Sequence, residues 1–167
     1  QKSGWVFGLN NSTGKINWRT RVGRGGTLGG IHFGMASDGT KLFVPVADRE
    51  VGRTYDWDKR PGLYALDIDT GNIIWSYKLD NVCEDRESAS GDGKCFTGFS
   101  APVSVTGDVL FAGALDGRFS AHSTQDGSKL WEFDTLKSFN TVNSFPAVGG
   151  SIDAAGAVIV DDWVFIN

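Results

Sequence analysis

One pattern recurs three times along the chain and limits its fold more than anything else in it. Phe7-Gly8-Leu9-Asn10 leads to Thr13-Gly14-Lys15-Ile16-Asn17-Trp18. Tyr64-Ala65-Leu66-Asp67 leads to Thr70-Gly71-Asn72-Ile73-Ile74-Trp75, and Phe119-Ser120-Ala121-His122 leads to Asp126-Gly127-Ser128-Lys129-Leu130-Trp131. The tryptophans are 57 and 56 residues apart. A fixed period of this length marks a repeat architecture. Each unit reads as strand, tight turn, strand, with the Asn/Asp/Ser/Thr-Gly turn supplying the positive φ of a hairpin. The Trp returns at the same offset each time, where its flat ring can lie across a turn glycine and pack against the next unit. Three such pairs in register predict a radial repeat, an all-β partial β-propeller. Gly14 with Trp18, Gly71 with Trp75 and Gly127 with Trp131 are its structural blade motif.

The stretches between the motifs add strands. Residues 41–46 alternate, with Leu42, Val44 and Val46 on one face and Phe43 and Pro45 on the other. Apolar runs occupy 108–114 and 159–166, the second broken at Asp161-Asp162. Segments 31–36 and 99–105 are flanked by Gly and Ser, as innermost strands near a crowded axis are. With four antiparallel strands per blade, the chain holds about three blades of a single propeller domain. The repeats lie around 5–22 (an outer half), 29–79, 98–134 and 142–167 (the start of another). A propeller closes with about four to eight blades. The expected partners are therefore the remaining blades or another copy of the chain. The opening Gln1-Lys2-Ser3-Gly4 runs straight into an apolar stretch, which reads as an excerpt.

Composition narrows the function. The chain has 23 glycines, 6 tryptophans and 11 phenylalanines among 167 residues, which suits an aromatic-rich β protein. A net charge of −4 with interspersed signs argues against a nucleic-acid surface, which needs a basic stripe. No stretch approaches the roughly 18 continuous apolar residues of a membrane helix. Cys83 and Cys95 share a polar loop rich in Gly, Ser and Asp, whereas free thiols favour apolar cores. A local disulfide is the favoured reading over two free thiols, and it implies an oxidising, secreted or periplasmic compartment. A zinc site would need two further ligands nearby. Asn10 and Asn11 each begin a glycosylation acceptor pattern.

Function in a propeller gathers on the loops at one mouth of the central channel. Here these are 20–30, 47–61, 80–98 and 135–145, two of them long for a compact β domain. Asp48 directly follows an apolar strand and so is expected to point into the mouth. The charged and aromatic residues behind it read mostly as a solvated surface. His122, inside a blade motif, reads as structural. His32, on an inner segment, stays open between structural and channel-facing. No metal triad and no nucleophile–base–orienter set emerges from sequence order.

Gly29-Gly30-Ile31-His32-Phe33-Gly34-Met35-Ala36, Val44-Pro45-Val46-Ala47-Asp48 and Gly62-Leu63-Tyr64-Ala65-Leu66-Asp67 resemble segments of the pyrroloquinoline-quinone (PQQ) dehydrogenases. The resemblance is strongest to the polyvinyl-alcohol-dehydrogenase-like branch. It continues through Cys95 with Gly98-Phe99-Ser100-Ala101, Phe111-Ala112-Gly113-Ala114-Leu115-Asp116-Gly117, Phe139-Asn140-Thr141-Val142-Asn143 and Gly149-Gly150-Ser151-Ile152. It implies an eight-bladed ring holding PQQ on its axis, usually with calcium, and oxidising small or polymeric alcohols outside the cytoplasmic membrane. By the same resemblance Phe33 stacks under the quinone, Asn143 offers it or the metal an amide, and Gly149 and Gly150 form a cofactor-side turn. Asp48 is then the candidate catalytic base, and no metal ligand is assigned beyond that. Two departures stand out. Phe33 occupies a place where the family motif carries Trp, and Phe offers less area and no N–H. The Cys-x-x-Cys-His of a haem domain is missing from these residues. The alternative is a secreted propeller that keeps the fold without the cofactor and serves as a binding or structural assembly module. A third expectation is that short propeller pieces assemble into rings or filaments through their open blade faces.

Overall fold

A computed structural model describes residues 2–49, 56–83, 86 and 94–167, and these contain strands and no helix. The first hairpin is β1 (Trp5–Leu9) with β2 (Ile16–Arg21). Next, β3 (Ala36–Ser37), β4 (Lys41–Val46), β5 (Gly62–Asp67) and β6 (Ile73–Lys78) form a four-stranded antiparallel meander. A second meander of the same form contains β7 (Ser104–Thr106), β8 (Val109–Gly113), β9 (Arg118–Ser123) and β10 (Lys129–Asp134). Two further hairpins follow, β11 (Ser138–Asn140) with β12 (Pro146–Val148) and β13 (Val158–Val160) with β14 (Trp163–Phe165).

The three repeat turns are built alike. Asn10 Oδ1 accepts the amides of Ser12 and Thr13 and the Thr13 hydroxyl, at 2.9–3.1 Å. Asp67 Oδ1 accepts the same set from Asp69 and Thr70. In the third turn Ser123 Oγ takes that place and accepts the Gln125 amide, while Asp126, at the position of Thr13 and Thr70, accepts from Ser128. Gly14, Gly71 and Gly127 then take φ of +70°, +73° and +76°, a region costly for residues with a Cβ. The Trp rings cover the turn of the following repeat, not their own. A Cβ on Gly71 would lie 2.4 Å from the Trp18 ring, and one on Gly127 would lie 2.5 Å from the Trp75 ring. Trp18 Nε1 donates to the Ile68 carbonyl at 3.1 Å and Trp75 Nε1 to the Thr124 carbonyl at 3.0 Å. Trp75 is buried, whereas Trp131 is exposed.

Pleating sends alternate side chains of the first meander into two cores. Phe43, Leu63, Ala65 and Trp75 pack with Phe99 and with Leu110 of the second meander. Val44, Val46 and Leu66 pack with Val6 and Val22 of the first hairpin. A sheet buried on both faces is the middle layer of a face-to-face stack, as a propeller blade is.

The innermost strands are shorter than the pattern predicts. Residues 31–36 and 99–105 join a ladder only at Ala36–Ser37 and Ser104–Thr106. Pro102 has no N–H to give a ladder. A Cβ on Gly34 would lie 3.2 Å from Pro102, so the two segments pass too closely for side chains to intervene. The β11–β12 hairpin also occupies part of the stretch read from sequence as the loop 135–145.

His122 is fully buried at the place Leu66 holds in the preceding meander. Its Nδ1 faces the Gly127 carbonyl at 3.1 Å and must donate to it, which leaves Nε2 to accept from Ser120 Oγ at 2.9 Å. Tyr77 packs edge-on at 4.5 Å. Burial lowers the His122 pKa; the Gly127 bond and Glu132 oppose this, and Lys129 adds to it. A histidine depressed in the folded state contributes stability that is present above its unfolded pKa of about 6.5 and lost as pH falls through the lower folded value. The expected result is a denaturation midpoint that falls between pH 7 and pH 5 in the natural protein and falls less in His122→Leu. An equal pH slope in both proteins would refute this.

Candidate functional site

Asp48 sits just past the end of β4 at φ 44°, and it is buried. Its Oδ2 accepts the amides of Arg24 at 2.6 Å and Arg60 at 2.9 Å. Its Oδ1 accepts those of Gly25 at 3.1 Å and Gly30 at 3.0 Å. A carboxylate has about four lone-pair sites, so these four amides fill them. The glycine-rich stretch 23–30 has a physical reason here. A Cβ on Gly23 would lie 2.8 Å from Asp48 Oδ1, and those on Gly25 and Gly30 would run into the backbone of Ser3 and Lys2, so at these positions the chain can approach only without side chains. The arrangement is a nest of amides around an internal anion. This geometry makes Asp48 an anchor that ties 24–30 and Arg60 to the end of β4, and it leaves no acceptor for a substrate proton. Asp116 holds the corresponding place after β8 and is equally buried, but there the Arg118 guanidinium grips it at 2.6–3.1 Å.

The inner segments bring three distant side chains together. His32 Nδ1 lies 2.8 Å from Ser100 Oγ and 3.9 Å from Asp153 Oδ1. Phe33 is adjacent, its ring centroid 4.1 Å from the imidazole, with 47% of its surface exposed. Burial lowers the His32 pKa, Lys2 lowers it further and Asp153 raises it. Sequence order gave no sign of this cluster because its members are far apart. An alignment of Gly30-Ile31-His32 with Gly98-Phe99-Ser100 as equivalent inner positions was the available signal.

The other predicted residues are placed differently. Asn143 lies on the exposed turn between β11 and β12. A Cβ on Gly149 would lie 2.0 Å from the Thr135 carbonyl, and the Gly149 amide donates to Lys137. The Gly150 carbonyl accepts from Thr135 Oγ1 at 2.7 Å. This gives both glycines a packing role against 135–137. Asn10 caps its turn, and Asn11 is exposed beside it. Cys83 and Cys95 form a disulfide, with Cα atoms 5.3 Å apart. It borders a cavity of about 490 Å³ between the β4–β5 connection and the stretch after β6, lined also by Arg49, Lys59, Lys78 and Phe96. Among the described residues no group of three or more His, Cys, Asp or Glu is placed to hold a metal ion.

Stacked four-stranded meanders, tryptophans lying over the next repeat's turn, and inner segments that meet side by side define part of a β-propeller. Residues 2–160 match the PQQ_2 family, described as outer membrane protein assembly factor BamB, and the chain belongs to this family of PQQ-type propellers. A polyvinylalcohol dehydrogenase from Pseudomonas sp is 35% identical over 173 residues, matching 100% of this chain and 25% of that protein. The chain thus spans about a quarter of that relative's length. Two solved structures share the fold. BamB from Moraxella catarrhalis aligns with a TM-score of 0.60 at 18% identity, over 98% of this chain and 37% of that one. Quinohemoprotein alcohol dehydrogenase from Comamonas testosteroni aligns with a TM-score of 0.58 at 16% identity, over 96% and 29%.

Proposed function

We propose that this chain is a segment of an extracytoplasmic quinoprotein that oxidises alcohol groups with PQQ. The observation that carries the reading is the 35% identity to a polyvinylalcohol dehydrogenase along the entire chain. The exposed Phe33 ring beside the inner-segment cluster fits a flat conjugated ligand, because one aromatic face is open to stacking. The described residues offer no group of three or more His, Cys, Asp or Glu for a calcium ion, and in this reading its donors lie outside them. When bound, the quinone supplies a two-electron acceptor for the hydride of an alcohol carbon.

The chain's own residues divide the remaining work. Phe33 offers a stacking face and Asn143 an amide, and Gly149 and Gly150, packed against 135–137, form the turn on the cofactor side. Asp48 holds 24–30 in place, and so the segment that leads to Phe33, through its bonds to Gly25 and Gly30. The Cys83–Cys95 bond suits an oxidising compartment. In this reading the chain is part of an eight-bladed ring, divided near 5–22, 29–79, 98–134 and 142–167, and the substrate is a small or polymeric alcohol.

The second reading is a secreted, cofactor-free propeller that binds or assembles other molecules. Phe33 in place of a tryptophan and the fold shared with BamB favour it. Incubation of the full-length protein with PQQ and calcium, followed by dye-linked oxidation of alcohols, separates the two. Turnover that depends on added quinone supports the quinoprotein, and no turnover with any alcohol supports the binding module.

A further inference from the structure

We propose that the Cys83–Cys95 bond is a redox-sensitive clamp between the two meanders. Closed, it holds Arg86 on Asp134; a dithiol that reaches it from the adjoining cavity opens it and releases that contact. The inference goes beyond the quinoprotein reading and does not depend on it.

The connection that leaves β6 and leads into the second meander is drawn together at Asn81, Cys83, Cys95 and Thr97. Asn81 Oδ1 accepts the Cys83 amide at 3.2 Å and the Thr97 hydroxyl at 2.8 Å. Cys83 Sγ lies 3.7 Å from Thr97 Oγ1. The disulfide closes this base covalently across a sequence separation of 12. Phe96, next to Cys95, lies under the Arg49 guanidinium, 3.5 Å from its ring centroid, which seats the base on the β4–β5 connection.

One limb of the closed loop reaches the next meander. Arg86, just beyond Cys83, forms an ion pair with Asp134 at the end of β10, 48 residues further along the chain. Asp134 also accepts the Leu136 amide at 2.8 Å. Burial pushes the Asp134 pKa up, but the Arg86 bond, the Leu136 amide and the charges of Arg86 and Lys137 outweigh it and hold the carboxyl below its ordinary value. The pair is therefore ionised near neutral pH, and it ties the entry to the second meander to that meander's outermost strand.

A half-exposed ion pair gains little over the side-chain freedom it removes. A short closed loop takes part of that freedom away in advance, because Cys83 fixes the backbone close to Arg86. With the bond open, the same ion pair has to offset the ordering of a longer free limb as well. The bond is also placed where a reductant can reach it. Neither cysteine belongs to a core cluster; both are half-buried, and both wall the cavity of about 490 Å³. Exposed disulfides are the labile ones, whereas those shut in a core resist reduction.

In the step itself a thiolate of the dithiol attacks one cysteine sulfur and displaces the other as a thiolate. The second thiolate of the reductant then attacks the mixed disulfide and releases the first cysteine. The protein bond gains two electrons and, with two protons, becomes two thiols. The dithiol loses the same electrons and protons and becomes a disulfide.

The test uses the full-length protein without quinone. Mild dithiothreitol, then alkylation and peptide mass mapping, is expected to label Cys83 and Cys95 while circular dichroism stays that of the folded protein. Trypsin cleavage after Arg86, which needs that side chain free, is expected to accelerate about tenfold on reduction. Asp134→Asn is expected to accelerate it comparably in the oxidised protein, and reduction of that variant to add little, because both changes remove one contact. Three results overturn the proposal. They are cysteines that label only when the protein unfolds, a reduced and folded protein with unchanged cleavage after Arg86, or effects of reduction and Asp134→Asn that simply multiply.

Discussion

Replacing Asp48 with Ala is expected to lower the stability of the full-length protein by about 3–5 kcal/mol, among the larger single-residue effects. The loss comes from the partners. Arg24, Gly25, Gly30 and Arg60 would each keep an amide that no longer has its carboxylate, and three of the four bonds are buried. An unsatisfied buried donor costs about 1–3 kcal/mol, and rehydration of the partly exposed Arg60 amide holds the sum below four times that. Asp48→Asn keeps the shape but turns an NH₂ toward two donors, so about half of the loss is expected to remain. Asp48→Gly relieves the φ of 44° yet removes the same acceptor, and its cost is expected to match that of Ala. Denaturant midpoints of the three variants check this. A loss below about 1 kcal/mol for Asp48→Ala would mean that the amides find other partners.

The second large effect is at the blade contacts. Trp75→Ala is expected to cost about 3–5 kcal/mol, because it deletes a buried ring packed 6.0 Å from Phe43 and frees the Thr124 carbonyl. Trp131 is 48% exposed here, against 8% for Trp75, although both occupy the same repeat position. In a ring that continues past this segment, a following turn glycine covers Trp131 as Gly127 covers Trp75. The full-length protein is then expected to lose as much stability from Trp131→Ala as from Trp75→Ala. A Trp131→Ala cost of a few tenths of a kcal/mol would show that nothing covers it.

These two sites also show what the sequence makes legible. Gly14, Gly71 and Gly127 with their tryptophans are local turn chemistry repeated at a constant offset, so pattern alone reveals the hairpins and their radial stacking. The disulfide is readable for a similar reason, since Cys83 and Cys95 share one polar loop. Asp48 is different. A carboxylate after an apolar strand looks like a group aimed at a channel, and only the folded backbone of 24–30 and Arg60 shows that amides surround it. The glycines of that stretch were visible, but their target was not. His32, Ser100 and Asp153 depend on a longer relation still. Their inner segments pair through single cross-segment bonds and hardly any ladder, so no strand periodicity announces them. What connects them is equivalence between repeats of unequal length. The β4–β5 connection runs from 47 to 61, whereas the β8–β9 connection needs only 114 to 117, and that insertion hides the register.

Phe33 is where the fold and the proposed chemistry meet, and quinone binding by the full-length protein tests that meeting most directly. Titration with PQQ in the presence of calcium, followed by absorbance, is expected to show saturable uptake at micromolar quinone. Uptake is expected to weaken about tenfold in Phe33→Ala, from the lost stacking face. No uptake at micromolar quinone, or uptake that Phe33→Ala leaves unchanged, would contradict a quinone site at this end of the inner segments.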